Sequence, residues 1–194
     1  MLDGFKISLM FLIISLLAVS LLAIPLSGNA LAEDDGSFDP EHSVGMDDSD
    51  WWTVYPHKNV NSGSAVEHPD WVLRALEDKP LLILIHQNNC VPCKTHVPRI
   101  NEAVQTYRDD IHYYDVLAEG SGYLKAKEIL DAYNPTGKQN FVPTTIFLTL
   151  IETEDGQVEV GWHSEIDIMS TAQINSYIED SIYYYEKNAA DWEQ

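Results

Sequence analysis

Two cysteines are all that this 194-residue sequence contains, and they stand three positions apart, at Cys90 and Cys93. So few, so close together, exclude the disulfide framework that holds many small secreted folds, which takes more cysteines at wider spacing. A bridge across so short a loop also removes little entropy from the unfolded chain, so the pair reads as placed for chemistry. Positive charge is scarce too: 11 Lys and Arg stand against 31 Asp and Glu, a formal net charge of -20. A surface of that sign repels nucleic acid and anionic lipid and excludes both as partners. It has two readings, solubility in a salty milieu or steering of a basic partner protein. Internal repeats are absent, and the N-terminal region has no cysteine to accept a lipid.

What the sequence does have begins with an apolar stretch from Ile7 to Leu26, preceded by Lys6 and broken only by small residues and Pro25. Ser27-Gly28-Asn29 then leads to Ala30-Leu31-Ala32, a small-x-small pattern suited to signal peptidase. The stretch is long for a signal peptide and just long enough to span a bilayer. Residues 1–32 are therefore expected to be a cleaved signal or an N-terminal membrane anchor. Both deliver the remainder outside the cytoplasm, and any contact with membrane is through this segment alone. A buried core helix is the structural alternative, which the position and all-round apolarity disfavour.

Residues 33–64 are acidic and rich in Gly, Ser, Asp and Asn, the composition of a linker or loosely held arm. Trp51-Trp52-Thr53-Val54-Tyr55 is the exception, a short aromatic run with strand propensity, expected to pair at the edge of the domain or pack on its surface. Residues 65–194 are expected to form the domain. Pro69 suits the start of a helix with Trp71, Val72, Ala75 and Leu76 on one face. Leu81 to Ile85 is a continuous apolar run, as in a central strand covered on both faces. A helix follows with Val97, Ile100, Val104 and Tyr107 at helical spacing, then a strand from Ile111 to Leu117 and a helix from Gly122 to Tyr133. Thr145 to Ile151 and Val158 to Trp162 read as a hairpin turning at Asp155-Gly156, and Ser170 or Thr171 caps a last helix. This order predicts an α/β fold: a mixed central sheet with helices on both faces.

The cysteines fall where the first strand gives way to its helix. Two helical positions three apart share a face, so the sulfurs can join or part with little backbone motion. Cys90 stands at the helix N-terminus, where free N–H groups and the helix dipole favour a thiolate, the attacking species in disulfide exchange. Cys90 is thus expected to be the exposed nucleophile and Cys93, one turn in, the buried resolving thiol.

Cys90-Val91-Pro92-Cys93-Lys94, followed by Pro98, Ile100 and Glu102, closely resembles the active-site helix of thioredoxins, with Pro98 in the place of that family's helix-interior proline. Val142-Pro143-Thr144 resembles the family's cis-proline loop, and Gly156 and Gly161 match its last hairpin. The resemblance runs over roughly residues 66–186 and implies a thioredoxin fold. It further implies that Pro143 is cis and that Val142, Pro143 and Thr144 form the substrate-binding loop beside Cys90. The valine-proline dipeptide is also like that of exported thioredoxin-like reductases.

Three departures qualify the implied activity. Leu84 replaces a buried aspartate, Asn89 the tryptophan before the first cysteine, and His86 another aromatic. His86, Lys94 and Asp115 are candidates to tune the cysteine pair, and Asp115 or Glu119 to supply the missing acid–base group. His86 and His96 flank the motif as His-x3-Cys-x2-Cys-x2-His. That pattern suits zinc or copper. The reading preferred instead is no metal, with His86 beside the active site and His96 on a solvated helix face. The loop from Lys138 to Phe141 is longer than in the family and is either a plain surface loop or a contributor to substrate choice. The expected function is an extracytoplasmic thiol–disulfide oxidoreductase acting on protein thiols and disulfides, reset by a redox partner, with no cofactor beyond the cysteine pair. The alternative is a non-catalytic binding module that holds a client protein or a metal and uses the cysteines as a regulatory disulfide.

Overall fold

A strand of five consecutive large apolar residues has to be covered on both sides, and the computed structural model of this chain is organised around that requirement. It describes residues 38–193, so the expectations for residues 1–37, the signal or anchor included, lie outside the described residues. The elements run α1 (Asp70–Leu76), β1 (Leu81–His86), α2 (Val91–Tyr107), β2 (His112–Leu117), α3 (Tyr123–Tyr133), β3 (Thr144–Glu152), β4 (Val158–Ile166) and α4 (Thr171–Asn188). The sheet order is β2-β1-β3-β4. β1 and β2 are parallel and joined through α2, whereas β3 is antiparallel to both β1 and β4.

Alternation along β1 divides the core in two. Leu81, Ile83 and Ile85 face Val72 and Leu76 of α1 and Ala126, Ile129, Leu130 and Tyr133 of α3. Leu82 and Leu84 face Ile100 and Ala103 of α2 and Ile174, Tyr177 and Ile178 of α4. β3 alternates in the same way, with Ile146, Leu148 and Leu150 in the first core and Phe147 and Ile151 in the second. Strand order, crossover and helices on both faces together make this the thioredoxin fold.

Local signals set several boundaries. Ser170 caps α4 in a reciprocal pair with Gln173, which satisfies two N–H groups that a helix start leaves free. α2 runs through Pro98 without interruption. The β3–β4 hairpin turns at Thr153–Gln157 with Gly156 at φ +78°, a conformation that favours glycine. β4 extends four residues past the expected Trp162, because its pairing with β3 continues to Ile166 opposite Thr144.

The expected arm is the main correction. Residues 38–64 do not hang loosely; they are part of the folded unit. The backbones of Trp52 and Trp162 exchange two hydrogen bonds of 2.8 Å, so the segment pairs with edge strand β4. The aromatic run was expected at the edge or on the surface; it is at the edge, yet Trp51 and Trp52 are fully buried. As neighbours in an extended segment they point opposite ways, Trp51 into the α2/α4 core and Trp52 into the α1/α3 core. Asp180 of α4, itself fully buried, accepts hydrogen bonds from the N–H groups of Glu41 and His42 at 2.9 Å, from His42 Nδ1 at 2.7 Å and from Trp51 Nε1 at 3.5 Å. The acidic, small-residue composition hid this because the partners lie on α4 and β4, far along the chain.

If the segment is structural, Trp52→Ala will cost about 3–5 kcal/mol. Equilibrium urea unfolding of the variant against the parent chain measures this, and a difference under about 1 kcal/mol would place Trp52 outside the core.

Candidate functional site

β1 ends at His86, and after an exposed turn, Gln87–Asn89, the chain enters α2 with Cys90 as its N-cap. Cys90 and Cys93 are joined in a disulfide with Cα atoms 5.2 Å apart. The backbone N–H of Cys93 lies 3.1 Å from Cys90 Sγ and donates to it. Cys90 is half-buried, while Cys93 is 1% exposed beneath it. The two sulfurs thus differ in access, Cys90 being the more open, though half-buried where exposure was expected.

Val142-Pro143-Thr144 meets the disulfide from the other side of the sheet end. The Val142–Pro143 peptide is cis, and the Val142 carbonyl oxygen lies 3.5 Å from Cys90 Sγ. Thr144 opens β3 opposite Ile85, and its hydroxyl donates to the Phe141 carbonyl at 2.7 Å. The Pro143 carbonyl accepts from the N–H of Asp167 at 2.9 Å, which ties this loop to the end of β4. Beside Cys90 opens a cleft of about 500 Å³, whose walls include Gln87, Tyr123, Leu130, Asn140, Phe141 and Val142. Tyr123 and Phe141 are more than half exposed there, as is Val91 within the motif. Partly exposed aromatics at the mouth of a cleft suit contact with another protein.

The remaining candidates separate. His86 Nε2 donates to Asp115 Oδ1 at 2.6 Å, so these two are brought together across the parallel β1–β2 pair. Glu119 turns instead to Asn88, accepting from its backbone N–H at 2.7 Å and thereby shaping the turn before Cys90. Lys94 is exposed, its N–H donating to the Cys90 carbonyl at 3.3 Å. Leu84 is fully buried, so that position holds no acid.

His96 is a correction. It was expected on a solvated helix face, but it is fully buried one turn after Cys93. Its Nδ1 accepts from the Met169 N–H at 3.3 Å, which leaves Nε2–H to donate to Thr145 Oγ1 at 2.6 Å. That pattern fixes a neutral ring and ties α2 to β3 and to the start of α4. Burial, with Arg99 adding to it, pushes His96 down to about 4. His68, hydrogen-bonded to the Tyr133 hydroxyl at 2.9 Å, is pushed to about 4 by burial as well. Among the described residues no group of three or more His, Cys, Asp or Glu is arranged to hold a metal ion.

Sequence reasoning missed Gln87 and Tyr123 as cleft residues, whereas Asn140 and Phe141 lie in the loop it left open between a plain surface loop and a contributor to substrate choice. Phe141 carried a usable signal, a large aromatic directly before Val142-Pro143. Tyr123 carried none, since only the fold brings α3 to the end of β1.

No protein-family model matches the chain, and no curated protein matches it. Among solved structures it is similar to a thiol:disulfide interchange protein of the thioredoxin family from Chlorobium tepidum TLS, at 16% identity over 56% of this chain and 83% of that one, with a TM-score of 0.41. Thioredoxin O2 from Arabidopsis thaliana, in its oxidised state, is similar at 20% identity over 55% and 83% of the two chains, TM-score 0.37. Mitochondrial thioredoxin 3 from Saccharomyces cerevisiae, in its oxidised form, gives 19% identity over 55% and 84%, TM-score 0.38. Likenesses this distant add no argument to the fold read from strand order and connections.

The two buried histidines generate a pH dependence. In the unfolded chain they take up protons below about 6.5, whereas in the folded chain they resist until about 4. Their stabilising effect is therefore complete above that unfolded value and is lost as pH falls from there toward 4. Urea unfolding at stepped pH is expected to show declining stability over this window, with a shallower slope in His68→Gln and His96→Gln chains. An identical slope in all three chains would show that other groups set it.

Proposed function

We propose that this protein is an extracytoplasmic thiol–disulfide oxidoreductase that exchanges disulfides with protein substrates through Cys90-Val91-Pro92-Cys93. The observation that carries this reading is a half-buried Cys90 at a helix N-terminus, bonded to a buried Cys93 and opening on a cleft. In the reduced pair, the Cys93 N–H and the first turn of α2 favour the Cys90 thiolate. That thiolate attacks a client disulfide, forming a mixed disulfide and releasing one client thiolate. Cys93, having lost its proton, attacks Cys90 Sγ, re-forms the intramolecular disulfide and releases the second client thiolate. Two electrons pass to the client, and a dithiol redox partner returns them. With a client dithiol the same steps run backwards and the client is oxidised.

The cleft supports a protein as substrate. An extended segment lying along Val142 finds its carbonyl free of secondary structure, with Phe141 and Tyr123 ready to cover apolar side chains. The extracytoplasmic setting is supported by the Ile7–Leu26 stretch and the Ala30-Leu31-Ala32 pattern, features of exported chains, whose compartments are where client disulfides form. The non-catalytic binding module draws on one observation, the fully buried Leu84, which leaves the core beneath the cysteines without an acid.

Insulin reduction with dithiothreitol as electron donor separates the two. The parent chain should accelerate it, Cys90→Ser should abolish the acceleration, and Cys93→Ser should accumulate mixed disulfide with the substrate. In the reduced protein at neutral pH, iodoacetamide should modify Cys90 well before Cys93. No acceleration by the parent chain would overturn catalysis in favour of the binding module.

A further inference from the structure

The wall of the cleft nearest Cys90 is a loop, and its shape is set by side chains outside the site. The segment after α3, residues 134–142, is exposed over 137–141 and carries Asn140, Phe141 and Val142 to the cleft. A loop with so many exposed residues is ordered only where specific bonds outweigh its conformational entropy. Here a single amide supplies most of them. Asn134, 5% exposed, accepts through Oδ1 from Thr136 N–H at 2.9 Å, Thr136 Oγ1 at 2.9 Å and Gly137 N–H at 3.0 Å. Through Nδ2 it donates to Asn140 Oδ1 at 2.6 Å and to the Lys138 carbonyl at 3.1 Å. Asn140 in turn donates to Asp131 Oδ1 of α3 at 3.3 Å.

That hub is buttressed by the segment preceding α1. Asn59, also 5% exposed, donates through Nδ2 to the Asn134 carbonyl at 2.8 Å, while its Oδ1 accepts from Asn61 N–H at 2.8 Å. Val60 N–H donates to the Thr136 carbonyl at 3.1 Å. The approach is close: Gly137 has φ +64°, and a Cβ there would stand 2.6 Å from Val60 Cγ2 and 2.8 Å from Asn59 Oδ1. Hydrogen bonding and steric fit thus join the same two segments independently.

We propose that Asn59 and Asn134 are positioning residues for substrate selection: they hold loop 134–142 so that Phe141 and Val142 dock protein disulfides, and neither takes part in the sulfur chemistry. The inference rests on the exchange activity proposed above and adds the determinant of its substrate class. A protein disulfide has to lay its backbone beside Val142 and bury Phe141 before its sulfur reaches Cys90. A small disulfide has to reach only Cys90. Loosening the loop therefore penalises the first and spares the second.

The test compares two substrates in the full chain and in two variants. Asn59→Asp removes the donation to Asn134 and keeps acceptance from Asn61; Asn134→Ala removes the hub. With insulin as substrate, both variants are expected to lose about tenfold in kcat/KM, mainly through KM. The reduced proteins should react with 5,5′-dithiobis(2-nitrobenzoate) within about twofold of the parent rate, since no docking is needed. Hydrogen exchange of Asn59→Asp should show faster exchange in residues 134–142 and parent-like protection in β1 and β3, which keeps the test decisive should Asn134→Ala fail to fold. Equal losses on both substrates, unchanged insulin kinetics, or unchanged loop protection would each overturn the inference. A parent chain that acts on neither disulfide would overturn the exchange activity itself and this inference with it.

Discussion

Burial of β1 on both faces is the constraint from which the rest of the structure follows. Leu81 to Ile85 are at most 1% exposed, and their side chains alternate between two cores. At roughly 1.5–3 kcal/mol for each fully buried large apolar side chain, no arrangement leaving one face open to water competes. Helices must lie on both sides, and a parallel neighbour must be reached by a crossover, which α2 provides. The functional consequence is positional. The strand can end only at the rim of the sheet, and the helix that covers it has to start there, so α2 presents its N-terminal N–H groups and Cys90 at the edge. The disulfide lies where a doubly buried strand is obliged to stop.

The same sheet explains the segment before α1. β4 is an edge strand, and an edge of unpaired N–H and C=O groups invites association with other chains. Trp52 closes part of that edge with two backbone hydrogen bonds, and the flanking indoles anchor it in both cores. Continuing along the chain, the segment reaches the loop behind the cleft through Asn59 and Val60. One stretch of chain thus covers part of the open edge of the sheet and braces the wall of the site.

How much of this could be read from residues alone follows from the range of the interactions involved. β1, α2, α3 and the hairpin were legible because periodicity, proline and glycine act within a few residues. The cysteine pair was legible from its local spacing, and Val142-Pro143-Thr144 through its resemblance to the cis-proline loop of thioredoxins. Residues 38–64 were not, since what orders them is remote: Asp180 is 138 positions from His42, and Trp162 receives Trp52 across most of the domain. Their acidic composition argued for solvent, and local composition cannot report that a buried carboxylate waits elsewhere for their N–H groups. His96 failed for a related reason. Its position on α2 faces inward toward Thr145 and Met169, and a polar residue on an apolar face discloses its burial only once both partners are known.

Proton handling ties these threads together. The proposed exchange requires Cys93, 1% exposed, to lose a proton, and the core beneath it offers only Leu84 at the position where an acid was sought. Burying a lone carboxylate there would cost several kcal/mol in desolvation, in a chain already carrying 31 acidic residues. His86 stands instead at the end of β1, paired with Asp115 within β2, which is 44% exposed, so that water shares the burden of the charge. His86 gives its Nε2–H to Asp115 across the two strands. His96 is closer along the helix but has both nitrogens committed, to Met169 and Thr145, and holds position rather than protons. The fold thus sets one imidazole in the core, committed at both nitrogens, and another at the end of β1, paired with a partly exposed carboxylate.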